Sequence, residues 1–146
     1  MGLVNEISLR GDDIAIMRRE NLAPNEIWDS KPFGFAQAVA VEEGHKILFI
    51  AGQAGMDKSA QIVGKDFDSQ CKQAFDNIAL ILKSVNADFH NIVKVTAFFT
   101  DVSNLATFGK IASEYFKGEL PAQSVFEVKN LALPGLQIEI EAIAVL

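Results

Sequence analysis

Few side chains in this 146-residue chain have the type and spacing for chemistry. The segment PAQSVFEV (121–128) places one amide, Gln123, behind a Pro-Ala corner and at the mouth of a strand-like alternation. A polar side chain there faces a pocket or hydrogen-bonds to backbone, and the pattern leaves both readings open. In LQIEIEAIAVL the carboxylates Glu139 and Glu141 fall on one side of an alternating run, as site groups or as interface residues satisfied by neighbouring backbone. Cys71 is the only cysteine, which excludes an internal disulfide and a cysteine metal cluster; it reads as a small buried hydrophobe. His45 sits in an expected turn and His90 before an expected strand, neither with a catalytic partner. Serine–histidine–aspartate, cysteine–histidine and metal-ligand patterns are absent from the sequence. The glycines of GQAGMDKSAQIVG lack the spacing of a phosphate-binding loop. The expectation is chemistry without a metal or organic cofactor, or no chemistry.

The elements that must position these groups belong to one ordinary domain. Hydrophobic residues make up 49% and charged residues 22%, with a formal charge of −6. That charge opposes a phosphate backbone, and the longest basic run is the pair Arg18-Arg19, so nucleic acid is not expected as a partner. The longest apolar runs, such as IALIL, are far short of the ~20 residues that cross a bilayer, and the first residues do not form a secretory signal. A cytoplasmic protein without a membrane partner is expected.

From Gln37 onward the pattern sharpens. QAVAVEEGHKILFIAG reads as a hairpin of two apolar runs about a turn at Glu42-Glu43-Gly44-His45. Phe67, Cys71, Ala74, Phe75, Ile78, Leu82 and Val85 form one helical stripe, capped by Asp66 or Asp68 and leaving through Asn86. NIVKVTAFFTD predicts a strand, and Val102 to Phe116 a second helix, ended by Gly118 and Pro121. SVFEV and LQIEIEAIAVL predict two more strands, and DIAIM (13–17) a short one near the start. Two helices cover one face of a mixed sheet, giving an α+β fold. Its other face, half apolar and half acidic, calls for a second subunit.

GFAQAV (34–39), LFIAGQAG (48–55), PAQSVFEV and IEIEAIAV (138–145), with NIVKVTAFFTDVSNLATF between them, resemble the reactive-intermediate deaminase family. This family is also called YjgF or RidA, and in older usage L-PSP endoribonuclease. The resemblance spans residues 32–146 as a single domain, leaving 1–31 as an N-terminal extension. It implies a chorismate-mutase-like (bacillary type) subunit, two helices on one face of the sheet, and a barrel-like homotrimer with small-molecule clefts between subunits. Members with the deaminase activity hydrolyse enamines and imines such as 2-aminoacrylate to 2-oxo acids and ammonia, without cofactor. In them the segment matching PAQS carries an arginine that grips the substrate carboxylate.

Residue by residue, the implied pocket has lost polar groups. Gln123 stands in place of the arginine, Phe35 of a tyrosine, Ala51 of a serine and, on an ungapped reading, Gly109 of an asparagine. Glu139 keeps its type as the group that activates water, and Gly52 keeps the small residue beside it. Exchanging a charged bidentate fork for a neutral amide loses on the order of 1–3 kcal/mol, roughly 5- to 150-fold in affinity. Lys110 and Lys129 are the cations that could compensate. The leading expectation is a metabolite-binding cleft without standard 2-aminoacrylate deaminase activity, with Glu139 as general base if a related hydrolysis persists. A deaminase of shifted preference is the alternative. An RNA-cleaving protein is the third reading, disfavoured by the acidic charge.

Overall fold

The structure, a computed structural model, describes residues 4–6, 16–22, 25–26, 29, 31–36, 38–42 and 46–146. The chain runs β1 (Val4–Glu6), β2 (Ile16–Leu22), β3 (Ala38–Glu42), β4 (Ile47–Ala54), α1 (Phe67–Ser84), β5 (Ile92–Phe99), α2 (Leu105–Phe116), β6 (Ala122–Glu127) and β7 (Ile138–Val145). A four-stranded mixed sheet has the order β4-β7-β5-β6, with only β5 and β6 parallel. A smaller antiparallel sheet joins β1, β2 and β3.

Helix α1 begins where the carboxylate of Asp66 accepts the amide of Ser69 at 2.8 Å, a bond that holds this carboxyl below the usual range. It ends at Val85, after which Asn86 takes φ 57°, the left-handed exit its residue type favours. Phe67, Cys71, Ala74, Phe75, Ile78 and Leu82 are buried, as the stripe requires. Helix α2 is preceded by a 3-10 turn, Val102–Asn104, capped by Asp101. Its termination uses Lys117 at φ 50° before Gly118 at φ 90°. Phe75 of α1 stacks on Tyr115 and Phe108 of α2 at centroid distances of 4.7 and 5.8 Å, which locks the helices side by side.

Both helices cover one face of the sheet. Val95, Ala97 and Phe99 of β5 and Ile138, Ile140, Ala142 and Ala144 of β7 point into that core. Burying a side chain of the size of Phe75 or Phe99 contributes about 1.5–3 kcal/mol. The opposite face carries Ile47, Phe49 and Phe126, which are 58%, 74% and 52% exposed. An apolar patch of that kind marks a surface that meets something.

Two expectations change. The runs on either side of 43–45 do not form a hairpin with each other: β3 pairs with β2 and β4 with β7, while Glu43, Gly44 and His45 lie outside the described residues. Burial explains the preference. β7 brings Ile140, Ala142 and Ala144 into the core beside β4, whereas Ala38 and Ala40 of β3 are exposed and bury little. The strand near the start is Ile16–Leu22, shifted beyond 13–17, of which residues 13–15 lie outside the described set.

Candidate functional site

Strand β6 presents Gln123 on the helix side, because its cross-strand partner is the fully buried Val95. The side chain opens into a cavity of about 640 Å³ beneath α2. Pro32 and Phe35 close one side, Leu105, Ala106, Phe108 and Gly109 form the helical wall, and Val125 continues the floor. Sequence-predicted residues Phe35, Gly109 and Gln123 are thus brought together. A Cβ added at Gly109 would meet nothing within 4 Å, so the glycine leaves open space there. Among the described residues the side-chain amide of Gln123 makes no hydrogen bond within the chain. Among the described residues, no charged side chain lines this cavity.

Gly52 and Glu139 form a second group. The β4–β7 register shifts between Ile50 and Gln53, which turns Gly52 toward β7. A Cβ at Gly52 would lie 1.9 Å from Oε1 of Glu139, so only glycine lets the carboxylate rest over the strand. Ala51 borders a shallower cavity of about 370 Å³ that also contains Lys94, Thr96 and Glu141.

These two groups lie on opposite faces. Glu139 pairs with Phe98, which alternates with the buried Ala97 and Phe99, whereas Gln123 pairs with Val95. They are also three residues apart along β5, roughly 10 Å at the strand rise. One chain therefore cannot apply Gln123 and Glu139 to the same small molecule.

Within one chain Lys110 does not line the Gln123 cavity and Lys129 borders a different one, so either could reach it only from a neighbouring copy. Lys94, which the sequence reading passed over, donates from Nζ to Oγ of Ser124 at 2.9 Å, on the face away from Gln123. Its signal was present in the alternation of Lys94, Thr96 and Phe98 with buried neighbours. Arg19 was also missed. Its guanidinium, 2% exposed, donates to the carbonyls of His90 (2.7 Å), Ile92 (2.9 Å) and Leu120 (2.6 Å) and pairs with Glu119 at 3.2 Å. It fastens β2 to the start of β5 and to the turn that leads into Gln123. Burial pushes its pKa below the ordinary value, partly opposed by Glu119.

Burial also removes Cys71 from chemistry. Its thiol is pushed up to about 12 by desolvation, with the charge of Asp68 adding to the effect, so it stays protonated at neutral pH. Among the described residues, no three His, Cys, Asp or Glu side chains are grouped to hold a metal ion, and no helix is long and apolar enough to cross a membrane.

The family model described as Endoribonuclease L-PSP matches residues 31–146. The chain belongs to this family, the RidA/YjgF group. It is 42% identical over 113 residues to a rat protein named 2-iminobutanoate/2-iminopropanoate deaminase, covering 76% of this chain and 79% of that one. The human protein of the same name is 40% identical over 113 residues, with the same coverage. Among solved structures, the Rid-family protein YyfB from Yersinia pestis superposes with a TM-score of 0.81 at 32% identity, covering 88% of this chain and 98% of that one. The α+β fold with two helices on a mixed sheet is that of these Rid structures.

Proposed function

We propose that the chain assembles as a homotrimer, as the family resemblance implies, and that its small-molecule cleft is completed across the subunit boundary. Gln123, Phe35 and Gly109 line one wall, and Glu139 with Gly52 and Ala51 the other, from a neighbouring copy. The placement of Gln123 and Glu139 on opposite faces of one sheet supports this reading, as does the apolar patch at Ile47, Phe49 and Phe126.

The observation that carries the specificity is the neutral side-chain amide of Gln123, without a hydrogen bond among the described residues, in a cavity none of whose described lining residues is charged. Such a wall reads a carbonyl, amide or hydroxyl on an apolar body. This wall offers a carboxylate no cation; on the other wall Lys94, near Ala51, is engaged with Ser124, and a nearby Glu139 would repel an anion. The chain is thus a RidA-type protein for a neutral ligand, poor at 2-aminoacrylate. If the ligand is an imine, Glu139 takes a proton from water as oxygen adds to the C=N carbon and returns it to nitrogen. The carbinolamine then passes its hydroxyl proton to nitrogen, the C–N bond breaks as C=O forms, and ammonia or an amine leaves.

The 42% identity to a named imino-acid deaminase favours a second reading, hydrolysis of 2-imino acids with an altered side-chain preference. One experiment separates them. 2-Aminoacrylate is generated in situ and pyruvate release is followed for the native protein, for Gln123→Arg and without protein. The first reading expects native rates near the control and a gain of roughly 5- to 150-fold with arginine. Native release far above the control supports the second reading and overturns the first.

A further inference from the structure

A separate cavity, larger than the one beside Gln123, has no role in this cleft. It measures about 890 Å³ and lies between the segment 62–65 and the loop 129–137 that precedes β7. Among the described residues it shares no lining residue with the cavity of Phe35, Gly109 and Gln123.

Two features make it more than a surface dent. Its walls are fixed from beneath by Gln70, a helix α1 side chain that is fully buried. Nε2 of Gln70 donates to the carbonyls of Gly135 at 3.0 Å and Gly64 at 3.4 Å, and its Oε1 accepts the amide of Gln137 at 2.8 Å. The side chain of Gln137 in turn donates to the carbonyl of Lys65. One buried amide thereby ties both walls together, and Gly55 permits it: a Cβ there would lie 2.5 Å from that of Gln70. A buried polar group with every partner in place holds a defined shape.

The second feature is charge. In a chain of net charge −6, this cavity is bordered by Lys65 and Lys129 and, among the described residues, by no carboxylate. Neither lysine forms an ion pair among the described residues. Thr100 and Asn130 add polar groups, while Ile62, Leu131 and Leu133 supply apolar wall. Leu133 is 44% exposed, an apolar surface left uncovered.

We propose that this cavity is a second binding site, for a small organic acid: a carboxylate answered by Lys65 and Lys129, and an apolar body resting on Ile62, Leu131 and Leu133. Mixed cationic and apolar lining on a preformed wall is the chemistry such a molecule requires. Because the site shares nothing with Gln123, it stands whether or not the cleft is catalytic.

The test is calorimetric titration of the full chain at low salt with phenylacetate and, separately, with its neutral analogue phenylacetamide. Saturable binding of phenylacetate is expected, at least about tenfold tighter than the amide. The double variant Lys65→Met and Lys129→Met, which keeps most of the apolar stem, loses about tenfold in phenylacetate affinity. The charge-retaining pair Lys65→Arg and Lys129→Arg keeps it, and Gln123→Leu leaves it unchanged. The proposal is overturned by no saturable heat, by equal binding of acid and amide, or by undiminished binding in the methionine pair. Loss of binding in Gln123→Leu also overturns it, since the acid then occupies the cleft.

Discussion

Replacing Arg19 by methionine tests how the segment before the main sheet is held. The change keeps most of the apolar stem and removes the fork that contacts three carbonyls and Glu119. Glu119 is itself only 16% exposed, so water restores its solvation incompletely. The carbonyls of His90, Ile92 and Leu120 lose their charged donor together. Removing one member of a buried ion pair typically costs about 3–5 kcal/mol, and the stranded carbonyls argue against the bottom of that range. With a urea slope of roughly 1–3 kcal/mol per molar, the midpoint falls by between about 1 and 5 M. Urea unfolding of native protein, Arg19→Met and Arg19→Lys at one protomer concentration measures this, since assembly would otherwise shift the curves. Lysine keeps the charge without the fork and recovers less than half of the loss. A methionine variant within about 0.5 kcal/mol of native refutes the reasoning, because the four contacts would then carry no net stability.

Gly109→Ala raises stability by about 0.5–1 kcal/mol, read as a higher Tm, because a Cβ meets open space and the helix loses a flexible residue. Gly52→Ala shifts the carboxylate of Glu139 instead of the backbone, so the urea midpoint changes little. If the cleft is catalytic, its turnover falls as far as that of Glu139→Gln, on the order of 10²-fold or more. Cys71 stays unreactive toward disulfide reagents in native protein at pH 8 and reacts on unfolding. The same thiol gives a signed pH effect. Its folded pKa, about 12, lies above the ordinary 9.0, so its contribution is intact below pH 9 and is lost between about 9 and 12. Cys71→Ala has a weaker alkaline decline in that window.

The local elements were readable because single residues signal them: Asp66 as a cap, Asn86 as a left-handed exit, and Phe75 at the centre of a stripe. Strand partners were not. Which neighbour β4 takes depends on burial against β7, some ninety residues downstream, and no turn residue records that choice. In the site, Phe35, Gly109 and Gln123 were found through a resemblance in motif and do meet in space. That Gln123 and Glu139 occupy opposite faces follows from register, visible only once β5 has a strand on each side. Arg19 was read as half of a basic pair, since a lone charge in a sequence does not announce the carbonyls it will satisfy. Gln70 escaped notice because an amide one position before Cys71 looks like a solvated helix position, whereas it is buried.

The position of β7 bears on how the chain reaches this state. It lies between β4 and β5, yet follows both in synthesis, so each emerges from the ribosome before the strand that will separate them. Until β7 arrives, β4 carries no partner in its own sheet, and Phe49 and Ile47 stand beside unpaired backbone. A nascent intermediate of this kind offers an adhesive ribbon to other chains. Chaperone demand during production should therefore track the delay in completing the middle of the sheet more than the stability of the finished subunit.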